Sequence, residues 1–164
     1  KPMRLEDGEK FISIEPFPRF RISYEIEFSH PAIGRQEIDL EMTPESYARE
    51  IAFARTFGFY AEVKQLQDKG LIRGGSFDNA VVLSDDGIMN GELRAPDEFV
   101  RHKMLDLIGD VSLCGWPIIG HIKAYKAGHA LHTALATAIF RNPSFFSRVK
   151  QSDLVSSQAT RFSA

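Results

Sequence analysis

The sequence predicts an α+β fold, with helices packed on a mostly antiparallel sheet, and three observations carry that reading. Period-two alternation of apolar and polar residues dominates the first third. Helical spacing comes later, in stretches interleaved with short apolar runs. Regular β–α alternation, internal repeats and low-complexity linkers are all missing from the sequence. The length of 164 residues, 43% of them hydrophobic, suits one domain with a real core.

Each element follows from its own pattern. Phe11-Ile12-Ser13-Ile14 alternates. Over 20–28, Phe20, Ile22, Tyr24, Ile26 and Phe28 share one face, and Arg21, Ser23, Glu25 and Glu27 share the other. His30-Pro31-Ala32-Ile33-Gly34 turns the chain. Ile38, Leu40 and Met42 then alternate with Glu37, Asp39 and Glu41, so an antiparallel meander with one wet face is expected. Thr43-Pro44-Glu45-Ser46 carries a cap, a proline at the first helical position and an acid in the first turn. Tyr47, Ile51 and Ala54 extend that helix to about Arg55, where Thr56-Phe57-Gly58-Phe59 breaks the period and reads as a turn. A short helix over 60–69 is closed by Gly70. Gly74-Gly75-Ser76 is a turn, Ala80-Val81-Val82-Leu83 a buried strand, and Asp85-Asp86-Gly87 a hairpin turn before Ile88-Met89. The strongest helix starts at Pro96-Asp97-Glu98 and runs to about Cys114, with Gly115 ending it. A strand over 117–125 and a helix over 128–140 follow, the last stopped by Asn142-Pro143. The domain is taken as 1–145, and 146–164, Ser-rich from Gln151, as a loose tail.

Composition excludes several classes. With 20 Lys+Arg against 22 Asp+Glu, the formal charge of -2 leaves no basic footprint for nucleic acid. The single Cys114 excludes an intrachain disulfide and fits a reducing, cytoplasmic compartment. No apolar run approaches the roughly 18 residues of a membrane span, and the opening residues carry no signal-peptide pattern. The start at Lys1-Pro2-Met3, inside charged sequence, reads as part of a longer polypeptide. The 13 Phe against 4 Tyr and 1 Trp fit either core strands or an apolar ligand channel.

The chemistry concentrates in 98–110. At 3.6 residues per turn, His102, Asp106 and Asp110 drift by only about 40° and 80°, so one helix face presents an imidazole and two carboxylates. An i, i+4 His/Asp pair suits a shared metal ion. The same spacing also suits a solvated face of helical ion pairs. Counting Glu98, three acids and a histidine are costly to bury without a metal or cationic partners. Gly109 weakens the helix interior and suggests close approach by another backbone or a ligand. In Lys123-Ala124-Tyr125-Lys126-Ala127-Gly128-His129, a strand-to-helix junction presents His129 either as an acid or electrostatic stabiliser or as a packing residue. His132, His30 and His121 read as structural.

Four segments carry a resemblance. They are Ala54-Arg55-Thr56-Phe57-Gly58-Phe59, Gly74-Gly75-Ser76-Phe77-Asp78-Asn79-Ala80, Asp97-Glu98-Phe99-Val100-Arg101-His102-Lys103-Met104-Leu105-Asp106-Leu107-Ile108-Gly109-Asp110 and Tyr125-Lys126-Ala127-Gly128-His129-Ala130-Leu131. In order, they resemble the zinc-dependent UDP-3-O-acyl-N-acetylglucosamine deacetylases of lipid A (lipopolysaccharide) biosynthesis, over residues 1 to about 140. Ala127 is the one small departure, where Ser is common. The resemblance covers the second half of such enzymes only. It implies a two-layer sandwich of sheet and helices with a small βαβ insert at about 57–82. It implies a first domain that supplies a third zinc ligand, a histidine, and a glutamate as general base.

The resemblance also implies roles. His102 and Asp106 would hold zinc. Asp110 would orient and charge His129, which would stabilise the oxyanion and protonate the leaving amine, with Thr56 donating a hydroxyl to the same oxyanion. Lys103 and Lys126 would meet the UDP phosphates, Phe28 would stack on uracil, and Lys10 would lie near the nucleotide. Phe57, Val63, Gly75, Ser76 and Val82 would shape the acyl-chain passage. The expected function is hydrolysis of the N-acetyl group of a UDP-linked acylated amino-sugar, this chain carrying half of the active site and being inactive alone. The alternative is a UDP-sugar-binding module without turnover. Loss of the first domain is expected to uncover apolar surface.

Overall fold

A computed structural model describes residues 1–72, 74 and 76–150, and of Gln67 the backbone alone. The strands are β1 (Met3–Asp7), β2 (Lys10–Glu15), β3 (Phe20–Glu27), β4 (Arg35–Glu41), β5 (Thr56–Phe59), β6 (Ala80–Ser84), β7 (Gly87–Ile88) and β8 (Gly120–Tyr125). The helices are α1 (Pro44–Ser46), continued by a π-helical turn at Tyr47–Ile51, then α2 (Tyr60–Asp68), α3 (Glu98–Ser112) and α4 (His129–Arg141). The fold is α+β, with a five-stranded sheet in the order β1-β2-β8-β3-β4 and a separate three-stranded sheet β5-β6-β7.

The alternation over β3 holds: Ile22, Tyr24 and Ile26 are buried on the helix side. The expected meander does not. β8 enters between β2 and β3, antiparallel to one and parallel to the other. Pro16 and Pro18 lie in the link between β2 and β3, and proline lacks the N–H that a strand ladder needs. β8 alternates buried and half-buried residues and becomes the central strand. At its start a Cβ on Gly120 would sit 3.1 Å from the Glu15 carbonyl oxygen, tighter than an ordinary contact, so a larger residue would require the neighbouring backbone to give. A strand at Met3–Asp7, which the sequence pattern did not reveal, forms a hairpin with β2.

The helix expected to reach Arg55 ends earlier. Thr43 and Ser46 form a reciprocal cap, Ser46 N–H on Thr43 Oγ1 at 3.1 Å and Thr43 N–H on Ser46 Oγ at 2.8 Å. The wider π turn then carries Ile51 into the core and releases the chain. Thr56-Phe57-Gly58-Phe59, read as a turn, is strand β5. It pairs in parallel with β6 through the α2 crossover, which gives the small βαβ unit.

α3 lays Phe99, Val100, Met104, Leu107 and Val111 on the sheet, and α4 adds Leu131 and Leu135. Full burial of such side chains stabilises by about 1.5–3 kcal/mol each. α3 and α4 pack side by side. The consequence is that the opposite face of α3 meets the β5 strand and the head of α4. Gly109 corrects an expectation: it is exposed, and a Cβ there would meet nothing within 4 Å.

Candidate active site

Three arginines strap residues 50–56 to α3 and to the segment just before it. Arg55 donates from Nε to Glu98 Oε1 at 2.9 Å and from Nη2 to Glu98 Oε2 at 3.0 Å. The backbone N–H groups of Arg55 and Arg94 complete the carboxylate, at 2.9 and 2.6 Å. Burial alone would push the Glu98 carboxyl up, but these donors outweigh it and the net direction is down. Arg101 Nη1 donates to the Glu50 carbonyl at 2.8 Å, and Arg94 Nη1 to the Phe53 carbonyl at 2.8 Å. The cost of burying Glu98 is therefore met by one cation, Arg55, and two backbone donors, a cationic partner being one of the two solutions expected for it. The strap brings Thr56 against the His102 turn of α3.

His102 lies one helical turn beyond Glu98. Its Nε2 is 3.3 Å from Asp106 Oδ1, while its Nδ1 faces the Ala54 carbonyl at 3.4 Å. Burial pulls the His102 pKa below its ordinary value, against the pull of Asp106, so the ring favours the neutral form that a metal ligand needs. Asp106 presents its other oxygen to Lys103 Nζ at 2.7 Å. One turn further, Asp110 Oδ2 is 2.7 Å from His129 Nδ1 and 2.9 Å from His132 Nδ1. His129 is the first residue of α4, and its Nε2 comes within 3.9 Å of Asp106 Oδ2.

A cleft of about 300 Å³ gathers Phe28, Thr56, Phe57, Phe59, Glu62, His102, Lys103, Asp106 and His129 around these groups. Phe57 links its walls, edge-on to Phe28 at 5.8 Å and to His102 at 6.1 Å between ring centres. Asp110 stands behind His129 rather than in the wall. The ends of β3 and β8 and the start of β2 lie at this end of the sheet. Lys126 is there with φ +50, a left-handed conformation uncommon for a side chain. Its Nζ is 3.0 Å from both Glu9 and Glu27, which raises its pKa. Lys10 is exposed, one step beyond the Phe11–Tyr125 pair.

Other sequence candidates sit apart from the cleft walls. Val63 packs α2 against β5, its Cγ2 3.3 Å from where a Cβ on Gly58 would stand. Val82 is buried in β6. Ser76 is exposed in a turn held by Asn79. Gly75 and residues 151–164 lie outside the described residues. His30 is structural, as expected, reaching the Ser84 carbonyl at 2.7 Å. Sequence reasoning missed Glu62 and Phe59 in the cleft, and it left the contact between His132 and Asp110 unread. The spacing from His129 to His132 was visible, but Tyr24, the other partner of His132, comes from a distant strand.

The donor set tests whether a metal fits. His102 Nε2 and Asp106 Oδ1 converge, and the Ala54 carbonyl steadies the far side of the ring as an outer partner does in metal sites. These two residues fit a borderline cation such as zinc. Ligand atoms of Asp110, His129 and His132 also lie within 4.8 Å of one another. There, however, both rings point at the same carboxylate oxygen at hydrogen-bond length rather than at a common space.

Fold and cleft define a two-layer α+β domain with a histidine–carboxylate site at one end of its sheet. A family model described as "LpxC: UDP-3-O-acyl N-acetylglycosamine deacetylase" matches residues 1–141, and the chain belongs to that family. It is 50% identical over 147 residues to the UDP-3-O-acyl-N-acetylglucosamine deacetylase of Myxococcus xanthus, covering 89% of this chain and 47% of the relative. It is 47% identical to that of Histophilus somni, over 87% of this chain and 48% of the relative. It is 46% identical to that of Geobacter sp. strain M21, over 92% and 50%. The chain spans about half the length of these curated relatives. Among the described residues, no helix is long and apolar enough to cross a membrane.

Proposed function

We propose that this chain carries half of the active site of a zinc-dependent amide hydrolase. The substrate is UDP-3-O-(hydroxyacyl)-N-acetylglucosamine, and the reaction removes its N-acetyl group in the cytoplasmic synthesis of lipid A. One observation carries the reading. A single cleft joins a His102/Asp106 donor pair to a histidine, His129, that is itself held by a carboxylate.

The residues divide the work. His102 and Asp106 would hold zinc, and the chemistry that zinc supplies when bound is polarisation of the amide carbonyl and activation of water. Asp110 accepts from His129 Nδ1, which turns the Nε2 of that ring toward the cleft. A proton on Nε2 offsets negative charge developing on the carbonyl oxygen and then passes to the departing amine nitrogen. Thr56 is exposed at the cleft wall and donates its hydroxyl to the same oxygen. Phe28 and Phe57 offer ring faces for the uracil and the first part of the acyl chain. Val63, Gly75, Ser76 and Val82 would act farther along the acyl passage, Ser76 from an exposed turn and buried Val82 through the shape of the small sheet. Lys103 lies in the cleft as a compact cation for phosphate, with Lys126 and Lys10 at the adjoining sheet end.

A catalytic zinc site ordinarily has three protein ligands and an open position. The third ligand and the general base are assigned to the remaining half of the enzyme, so the isolated chain is inactive alone. Zinc calorimetry on this chain, followed by a deacetylase assay with the other half added, tests the proposal. Zinc binding and recovered hydrolysis are expected. Two folded halves with zinc bound and no turnover would sink the enzymatic reading and favour a UDP-sugar-binding module.

A further inference from the structure

His129 is 67% exposed at its side chain, whereas His132, three residues on, is fully buried. Both rings present Nδ1 to the same atom, Asp110 Oδ2. An exposed ring free to change rotamer is a poor anchor for a carboxylate. A ring packed on all sides is a good one. The orientation of Asp110 is therefore set from the buried side.

The anchor continues inward. His132 Nε2 is 2.9 Å from Tyr24 Oη, and the two rings meet edge to face at 5.8 Å between centres. Tyr24 Oη in turn donates to the Ala127 carbonyl at 2.7 Å. Ala127 follows Lys126, whose left-handed φ of +50 needs support from its surroundings. It precedes Gly128, the cap of α4, and so stands two residues before His129. The chain of contacts thus runs from α3 through α4 and β3 to the junction that presents His129. Charged groups near it are Asp110, Asp106 and Lys103 on α3. Burial pulls the His132 pKa down while Asp110 pushes it up. A carboxylate oxygen only accepts, so the proton of the His132–Asp110 contact sits on Nδ1.

We propose that His132 is a positioning residue for the Asp110–His129 pair, holding Asp110 Oδ2 in place and tying it through Tyr24 to the Ala127 carbonyl at the head of α4. This rests on the functional reading above for its purpose, though not for its geometry. Losing a partner that orients a working group commonly costs 10–100-fold.

The test uses ring-nitrogen NMR of the chain, without substrate or metal, on His132→Leu, His132→Asn and Tyr24→Phe. The wild type is expected to show a hydrogen-bonded Nδ1–H on His129. His132→Leu is expected to lose that signal to solvent exchange, and His132→Asn to restore it through an amide donor to Asp110. Tyr24→Phe, which keeps the ring's volume, is expected to speed the exchange, and it decides the matter if His132→Leu does not fold. In the enzyme completed by its other half, His132→Leu is expected to lower kcat about 10-fold with KM unchanged. An unaltered His129 signal in both His132→Leu and Tyr24→Phe would overturn the proposal. So would a signal lost equally in the Leu and Asn variants. Absence of turnover in the wild type with the spectra as expected would count against the functional reading alone.

Discussion

Arg55 grips Glu98 in a two-point fork, Nε on one carboxylate oxygen at 2.9 Å and Nη2 on the other at 3.0 Å, with Glu98 fully buried. The pair joins the start of β5 to the first turn of α3, one helical turn before His102. Arg55→Ala would leave that carboxylate buried without its cation. A loss of about 3–5 kcal/mol in unfolding free energy is expected, read from urea denaturation. Arg55→Lys keeps the charge but not the fork, and it should fall between the two.

Acid should weaken the fold in two windows. The folded-state pKa of Glu98 lies below the ordinary 4.5 because Arg55 and two backbone N–H groups outweigh burial. Its stabilisation is complete above the unfolded value and is lost as pH falls through the folded one. His102 is held below the ordinary 6.5 by burial, so the unfolded chain takes up its proton first. Its contribution is likewise present above 6.5 and lost as pH falls below that. Unfolding midpoints measured from pH 8 downward should decline in two steps, the earlier one reduced in His102→Gln, with buried His132, also held below 6.5, supplying the remainder.

Zinc affinity should depend on His102 and Asp106 and little on Asp110. Either His102→Ala or Asp106→Ala is expected to weaken binding by more than the roughly 10–100-fold typical of outer partners. Asp110→Asn, whose partners are His129 and His132 rather than the zinc pair, should stay well below that range. Competition with a chromogenic chelator ranks the three, and equal losses in all would contradict the assignment. Binding should also fall on acidification, because the ligand must be the neutral imidazole.

His129→Ala should leave zinc affinity near wild type and reduce hydrolysis in the completed enzyme by about 10²–10⁴-fold, the usual worth of a positioned acid. A full rate in that variant would remove His129 from the chemistry.

Apolar surface near the helix ends should make the chain self-associate. Leu113 and Phe140 are 73% and 70% exposed, and Trp116 is 54% exposed beneath Arg148. Sedimentation should show mass rising with concentration and a monomer restored by Phe140→Ser. A single species across the range, wild type and variant alike, would contradict the prediction.

Much of this molecule was legible in the linear pattern because the pattern is local. Alternation in 20–27 follows from one wet and one dry sheet face, and the i, i+4, i+8 set on α3 follows from helical pitch. What escaped was non-local. β8 divides the expected meander, and no residue in β2 or β3 announces a strand arriving from a hundred positions away. The 56–59 segment looked like a turn because four residues with a central glycine carry little period of their own. Its strand character comes from pairing with β6.

By itself, then, the sequence determined the α+β class, the polar face of α3 and the junction that carries His129, since each depends on neighbours along the chain. Only the tertiary structure decided that Glu98 would be neutralised by Arg55 and that Gly109 would face open space. It alone made His132 the buried anchor of Asp110. The physical reason is that charge compensation and hydrogen-bond sharing are settled by which groups meet across the core. In each of these pairs the partners come from different elements, brought together only when the sheet and helices close.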